Sequence, residues 1–142
     1  MRDIMIKDLS FAEIQIGDTA EMSRTITAAM VDAFAETTGD YNPVHVDEEF
    51  AKTTMFKERI AHGMLSASLV SAVLGTRLPG MNTVYLKQEL TFKRPVKIGD
   101  IITATVEVLE KNEKRSWLTL RTTVKNQDNV LILDGQATVM KK

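Results

Sequence analysis

Cysteine is missing from all 142 residues, which removes structural disulfides, thiolate metal sites and a cysteine nucleophile together. Histidine is nearly as scarce. His45 and His62 are the only side chains whose ordinary pKa lies near neutrality. An excess of either charge is also lacking, because 18 basic residues face 19 acidic ones for a net charge of -1. No basic stripe is offered to nucleic acid or to an anionic membrane, so neither is expected as a partner. A small phosphorylated carrier needs only a few local Lys or Arg residues and stays compatible. The first ten residues, MRDIMIKDLS, carry Asp and Lys where a secretory leader needs an apolar run, and a cytoplasmic location is the default expectation. No repeat, low-complexity tract or Pro/Gly/Ser linker divides the chain, so one domain over 1–142 is expected. An apolar content of 44% is enough to fill its core.

What is present falls into a helical half and a strand half. After a short extended stretch at 19–24, Thr27 can cap a helix with Met30, Val31, Phe34 and Ala35 on its apolar face, ending near Gly39. A second short helix is expected from Asp47 through Phe50 and Ala51. Between Ala61 and Thr76 no Asp, Glu, Lys or Arg occurs, and apolar residues mix with Ala, Ser and Gly on every side. A helix apolar all round is a buried one. It is too short and too rich in Ser to cross a bilayer, which takes about 20 apolar residues.

From Thr83 the period drops to two, through VYLKQELTFKRPV, DIITATVEVLEK, RSWLTLRTTVKN and NVLILDGQATVMK. These predict four antiparallel strands, with Gly99-Asp100 and Gln127-Asp128-Asn129 as turns. Such a sheet needs an apolar partner on one face, and the charge-free helix is the candidate. The expected architecture is therefore α+β: a hotdog, an antiparallel sheet wrapped around one long central helix. An exposed edge strand would invite pairing with a second copy, so a homodimer or higher homo-oligomer is expected.

Asp40 and His45 bring a carboxylate and an imidazole five positions apart. In a helix the two would point about 140° apart, and in a strand they would lie on opposite faces about 16 Å apart. Only a turn unites them. Pro43 supplies one, because it lacks an N–H and holds Asn42 extended. Two unlike titrating groups, with ordinary pKa values of about 3.9 and about 6.5, can divide the removal of a proton from water and its delivery to carbon. Asn42 could hold the same water through its amide. Asp-x-Asn-Pro is equally a routine turn in which Asp and Asn bond nearby backbone, and local chemistry leaves both readings open.

The run Gly39-Asp40-Tyr41-Asn42-Pro43-Val44-His45-Val46-Asp47, with Ile60-Ala61-His62-Gly63-Met64-Leu65, resembles the signature of the MaoC-like (R)-specific enoyl-CoA hydratases, or hydratase 2. The resemblance continues through Leu78-Pro79-Gly80, Tyr85-Leu86 and Leu90-Thr91-Phe92-Lys93-Arg94-Pro95-Val96 to Gly99-Asp100, covering most of the chain. It implies reversible hydration of trans-2-enoyl-CoA to (R)-3-hydroxyacyl-CoA with no metal or redox cofactor and an acyl-CoA thioester as substrate. It implies Asp40 and His45 as the catalytic pair, without saying which is base, and Asn42 as their support. The N–H of Gly63 would bind the thioester oxygen at a helix start, where backbone donors are unpartnered and the dipole is positive.

The resemblance also gives Ser71 as a hydroxyl lining the site and sets Tyr85 and Leu86 along the acyl channel. For Ser71 the alternative is a buried hydroxyl bonded to the carbonyl one turn back. His62 is a second catalyst or substrate contact on one reading and a capping or packing group on the other. The eight methionines are expected to fill core gaps, and Trp117 to pack. Arg59, Lys87, Lys93, Arg94 and Lys97 could meet carrier phosphates, with solvated surface roles as the default for each. A hotdog thioesterase and a non-catalytic acyl-thioester binding module are the competing functions.

Overall fold

The computed structural model describes residues 5–142. Strand β1 (Thr19–Thr25) precedes helix α1 (Ala28–Thr38), the one-turn helices α2 (Pro43–Val46) and α3 (Glu48–Ala51), and the long helix α4 (Gly63–Thr76). Strands β2 (Thr83–Phe92), β3 (Ile101–Asn112), β4 (Trp117–Lys125) and β5 (Leu131–Lys141) complete the chain. All pairings are antiparallel, in the order β1-β3-β4-β5-β2. The α+β hotdog expected from the pattern is the fold observed.

Alternation builds the core. Ile102, Ala104, Val106 and Val108 of β3 point inward with Leu118, Leu120 and Val124 of β4, and all are buried. They meet Leu65, Leu69, Val70, Val73 and Leu74 of α4. Full burial of one such Val or Leu is worth about 1.5–3 kcal/mol, so this layer supplies the fold's main driving force. The turns follow their residues: Gly99 adopts φ 101° and Asn129 φ 61°.

Four expectations need correction. The sheet has five strands, because residues 19–25 pair along β3 from Thr19↔Glu107 to Thr25↔Ile101. Their backbone partner, more than any apolar alternation, makes them a strand. β2 stops at Phe92 and is no hairpin neighbour of β3. Pro95 has no N–H for a ladder, and the segment after β2 leaves the sheet: the Ala61 N–H donates to the Val96 carbonyl at 2.7 Å and the Gly99 N–H to Ile26 at 2.7 Å. This crossover seats the start of α4 against residues 93–97. Finally, α4 is not buried on every side. Met64, Ser68, Ser71 and Gly75 form an exposed stripe, because the sheet covers only the opposite face. The methionines likewise depart from core filling: Met5, Met55, Met64 and Met81 are exposed, while Met22 and Met30 pack against the core.

Trp117 packs beneath the Arg115 guanidinium, 4.9 Å from its ring centre. No helix among the described residues is long and apolar enough to cross a membrane.

Gly135 lets β2 lie close to β5. A Cβ there would sit 1.8 Å from the Glu89 carbonyl oxygen, a backbone atom that can yield only if the strands part. Gly135→Ala should therefore lower stability by about 2 kcal/mol or more in urea denaturation. An unchanged midpoint would show that the two strands are less tightly held than described.

Candidate active site

The end of α1 starts the site. Gly39 closes the helix in the left-handed region at φ 82°, its N–H donating to the Ala35 carbonyl at 2.8 Å. The Asp40 N–H then donates to Thr38 Oγ1 at 3.2 Å, and Asp40 Oδ1 accepts from the Asn42 N–H at 3.2 Å. Asn42 Oδ1 in turn caps α2 by accepting from the Val44 N–H at 3.2 Å, with Pro43 as first helical residue. The proline-directed reversal is thus an Asx turn feeding one turn of helix. Asn42's oxygen is committed to that cap.

This reversal brings the expected pair together. An Asp40 carboxylate oxygen, a His45 ring nitrogen and a His62 ring nitrogen lie within 4.8 Å of one another. Two hydrogen bonds of about 2.8 Å meeting at one water span about 4.6 Å, so one water fits between two such groups. The His45 Nδ1 atom lies 2.8 Å from the Ile60 carbonyl oxygen. A carbonyl only accepts, so Nδ1 carries the proton and Nε2 is the nitrogen free for chemistry.

His62 packs within this cluster. Its side chain makes no capping bond at the start of α4. It is buried, stacks on His45 with ring centres 4.0 Å apart, and touches Phe34 at 4.8 Å. Its Nε2–H donates to the Asp40 backbone carbonyl at 2.9 Å, leaving Nδ1 buried without a partner among the described residues. His62 therefore braces both members of the pair. The three donors are close enough to suggest an ion site, but the two rings face each other at 27°. Ring lone pairs lie in the ring planes, and planes so nearly parallel do not meet at a metal–nitrogen distance of about 2 Å. The arrangement suits proton handling better than a shared ion.

Gly63 opens α4, exposed and free of any side-chain cap. With His45, Phe92, Lys93 and Arg94 it lines a cavity of about 310 Å³. A Cβ at Gly63 would meet the Phe92 ring at 3.0 Å, so glycine keeps this helix start open.

Ser71, Tyr85 and Leu86 fall in a second, mainly apolar cavity of about 450 Å³ with Phe34, Met64 and Leu90. Ser71 is exposed, which sets aside a buried hydroxyl; the serine bonded back to its own helix is Ser68, donating to Leu65 at 2.6 Å. Tyr85 donates to Gln88 Oε1. Burial pushes the Tyr85 phenol above its ordinary pKa, which keeps it a protonated donor.

Among the five candidate phosphate cations, Lys87 pairs with Glu89 and Lys97 with Glu58 at the surface. Arg59 departs from expectation. Its side chain is only 13% exposed, and its Nε–H donates to the His45 carbonyl at 2.6 Å. Sequence reasoning treated it as one of several surface cations. Its place just before Ile60 was the available signal.

A five-stranded sheet on one long helix, with a carboxylate and an imidazole brought together beside that helix's start, defines a hotdog-fold protein whose grouped side chains are of the kinds that exchange protons. The chain belongs to the MaoC like domain family, whose pattern matches residues 12–130. It is similar to an (R)-specific enoyl-CoA hydratase of Rhodospirillum rubrum, 49% identical over 130 residues that cover 92% of this chain and 90% of that protein. It is also similar to a 3-hydroxybutyryl-CoA dehydratase of Methylorubrum extorquens, 46% identical over 94% of this chain and 85% of that one. Among solved structures, an unliganded R-hydratase from Pseudomonas aeruginosa superposes with a TM-score of 0.92 at 45% identity, covering 96% of this chain and 87% of the other.

The cap at α2 yields a test. Asn42→Ala should cost about 1 kcal/mol in urea denaturation, and Asn42→Asp, which keeps the accepting oxygen, should recover most of it. Equal stability of wild type and Asn42→Ala would show that the cap contributes nothing.

Proposed function

We propose that this chain is an (R)-specific enoyl-CoA hydratase, adding water reversibly to trans-2-enoyl-CoA to give (R)-3-hydroxyacyl-CoA. The observation that carries the reading is the convergence of Asp40 and His45 within one water's span, with His45 Nε2 left free by the Ile60 carbonyl. The names of the relatives at 46–49% identity agree with it.

In this mechanism one water lies between the Asp40 carboxylate and His45 Nε2. Its oxygen adds to C3 of the enoyl group while one member of the pair takes its proton. The electron pair of the C2–C3 double bond moves toward the thioester, and the other member delivers a proton to C2. Charge gathers on the thioester oxygen as this happens, and the Gly63 N–H at the positive end of α4 stabilises it. Dehydration runs the same steps backward. Asn42 acts through the turn that presents the pair. The apolar cavity of Met64, Ser71, Tyr85 and Leu86 takes the acyl chain, while Lys93 and Arg94 beside the His45 cavity face the anionic carrier.

The assembly in this reading is a homodimer. β2 lies at the sheet's edge and exposes Val84, Tyr85, Leu86 and Phe92, features that favour pairing with a second copy. The working location is the cytoplasm.

With crotonyl-CoA the protein should remove enone absorbance without releasing thiol, and chiral analysis should return the (R)-3-hydroxy product. Asp40→Asn should lower kcat by on the order of 10²-fold or more while changing KM little. Thiol release without hydration would replace the proposal with a thioesterase. Binding without either reaction would leave an acyl-thioester binding module, and unchanged turnover in Asp40→Asn would remove Asp40 from the mechanism.

A further inference from the structure

We infer that Arg59 is a positioning residue that sets the distance between Asp40 and His45, an inference that rests on the hydratase reading of that pair. The two arise from different elements: Asp40 follows the C-terminal end of α1, while His45 sits inside α2. A four-residue helix has almost no stability of its own, so α2 must be held from outside. Residues 59 and 60 do this. The Ile60 N–H donates to the Val44 carbonyl at 3.3 Å, and the Ile60 carbonyl accepts from His45 Nδ1 at 2.8 Å. Arg59 adds the link between the elements. Its Nε–H donates to the His45 backbone carbonyl at 2.6 Å while its terminal NH2 donates to Asp32 Oδ1 on α1 at 2.5 Å.

His45 is therefore gripped by adjacent residues at its backbone and at its ring. Arg59 carries the backbone grip across to Asp32 of α1, beside the stacking of His62 on the His45 ring. The guanidinium's rigid fork suits this task, because its donors leave the plane at fixed angles, whereas a Lys ammonium is a single point on a flexible stem. Its side chain is largely buried, and Asp32, 58% exposed, supplies the opposing charge. Arg59 does not line the cavity beside His45 and Gly63. It acts through His45, not on substrate. Displacement of a catalytic group by about 1 Å can cost about 10²-fold in rate, which is the scale on which such a brace matters.

The test uses Arg59→Lys, Arg59→Met and the milder Asp32→Asn, with two readouts. On crotonyl-CoA, both Arg59 variants should lose about 10- to 100-fold in kcat, with KM changed by no more than about threefold. Asp32→Asn keeps an accepting oxygen and should lose less. The second readout needs no activity. With only two histidines in the chain, long-range nitrogen-15 spectra resolve the tautomer of each ring. Wild type should show His45 as a single tautomer protonated at Nδ1, and the Arg59 variants should show it averaging between tautomers while His62 stays fixed. Wild-type kcat with an unchanged His45 spectrum in both Arg59 variants would overturn the inference. So would a kcat loss that matches loss of folded protein by circular dichroism while His45 keeps its tautomer. If wild-type protein hydrates no enoyl thioester, the functional reading fails, and the spectra still decide whether Arg59 holds His45.

Discussion

The site depends on one hydrogen bond, from His45 Nδ1 to the Ile60 carbonyl. Without it either ring nitrogen could carry the proton, and a carboxylate nearby would meet either tautomer. With it, Nε2 is the nitrogen left for the proton exchange that the proposed hydration requires. The bond is intelligible only because the crossover after β2 pins the segment before α4, through Ala61 to Val96 and the bridge of Ile60 with Lys97. The sheet thus fixes a loop, the loop fixes a tautomer, and the tautomer makes the pair chemically useful.

The layout around that bond explains why a small fold can carry a precise site. α1, α2 and α4 each bring one element near the same point: a carboxylate, an imidazole and a helix start. None needs to move far, because each is tied by short bonds to backbone: Asp40 to the Asn42 N–H and His62 to the Asp40 carbonyl. The exposed stripe of α4 and the edge strand β2 leave the side of the molecule nearest these groups uncovered. That openness suits a long flexible thioester and, in the proposed assembly, a second copy.

Much of this was legible in residue order. The two-residue period after Thr83 predicted β2 to β5, Thr27 and Gly39 marked the ends of α1, and Pro43 announced the reversal that unites Asp40 with His45. What escaped was non-local. A carbonyl such as that of Ile60 has no signature in the sequence, and the strand order, with β2 beside β5 instead of β3, depends on pairings between distant segments. Arg59 was missed because a lone arginine in a polar stretch looks solvated until its partners on α1 and α2 are known. The open face of α4 was hidden by composition, since Met64, Ser68 and Ser71 resemble the residues that a buried helix also uses.

The most direct test of the whole arrangement is a crystal structure of the wild-type protein with butyryl-CoA, a saturated thioester that cannot be hydrated. The account predicts the thioester oxygen accepting from the Gly63 N–H and one ordered water touching both the Asp40 carboxylate and His45 Nε2 on the side of C3. A thioester seated away from the start of α4, or a water held by neither residue, would contradict it.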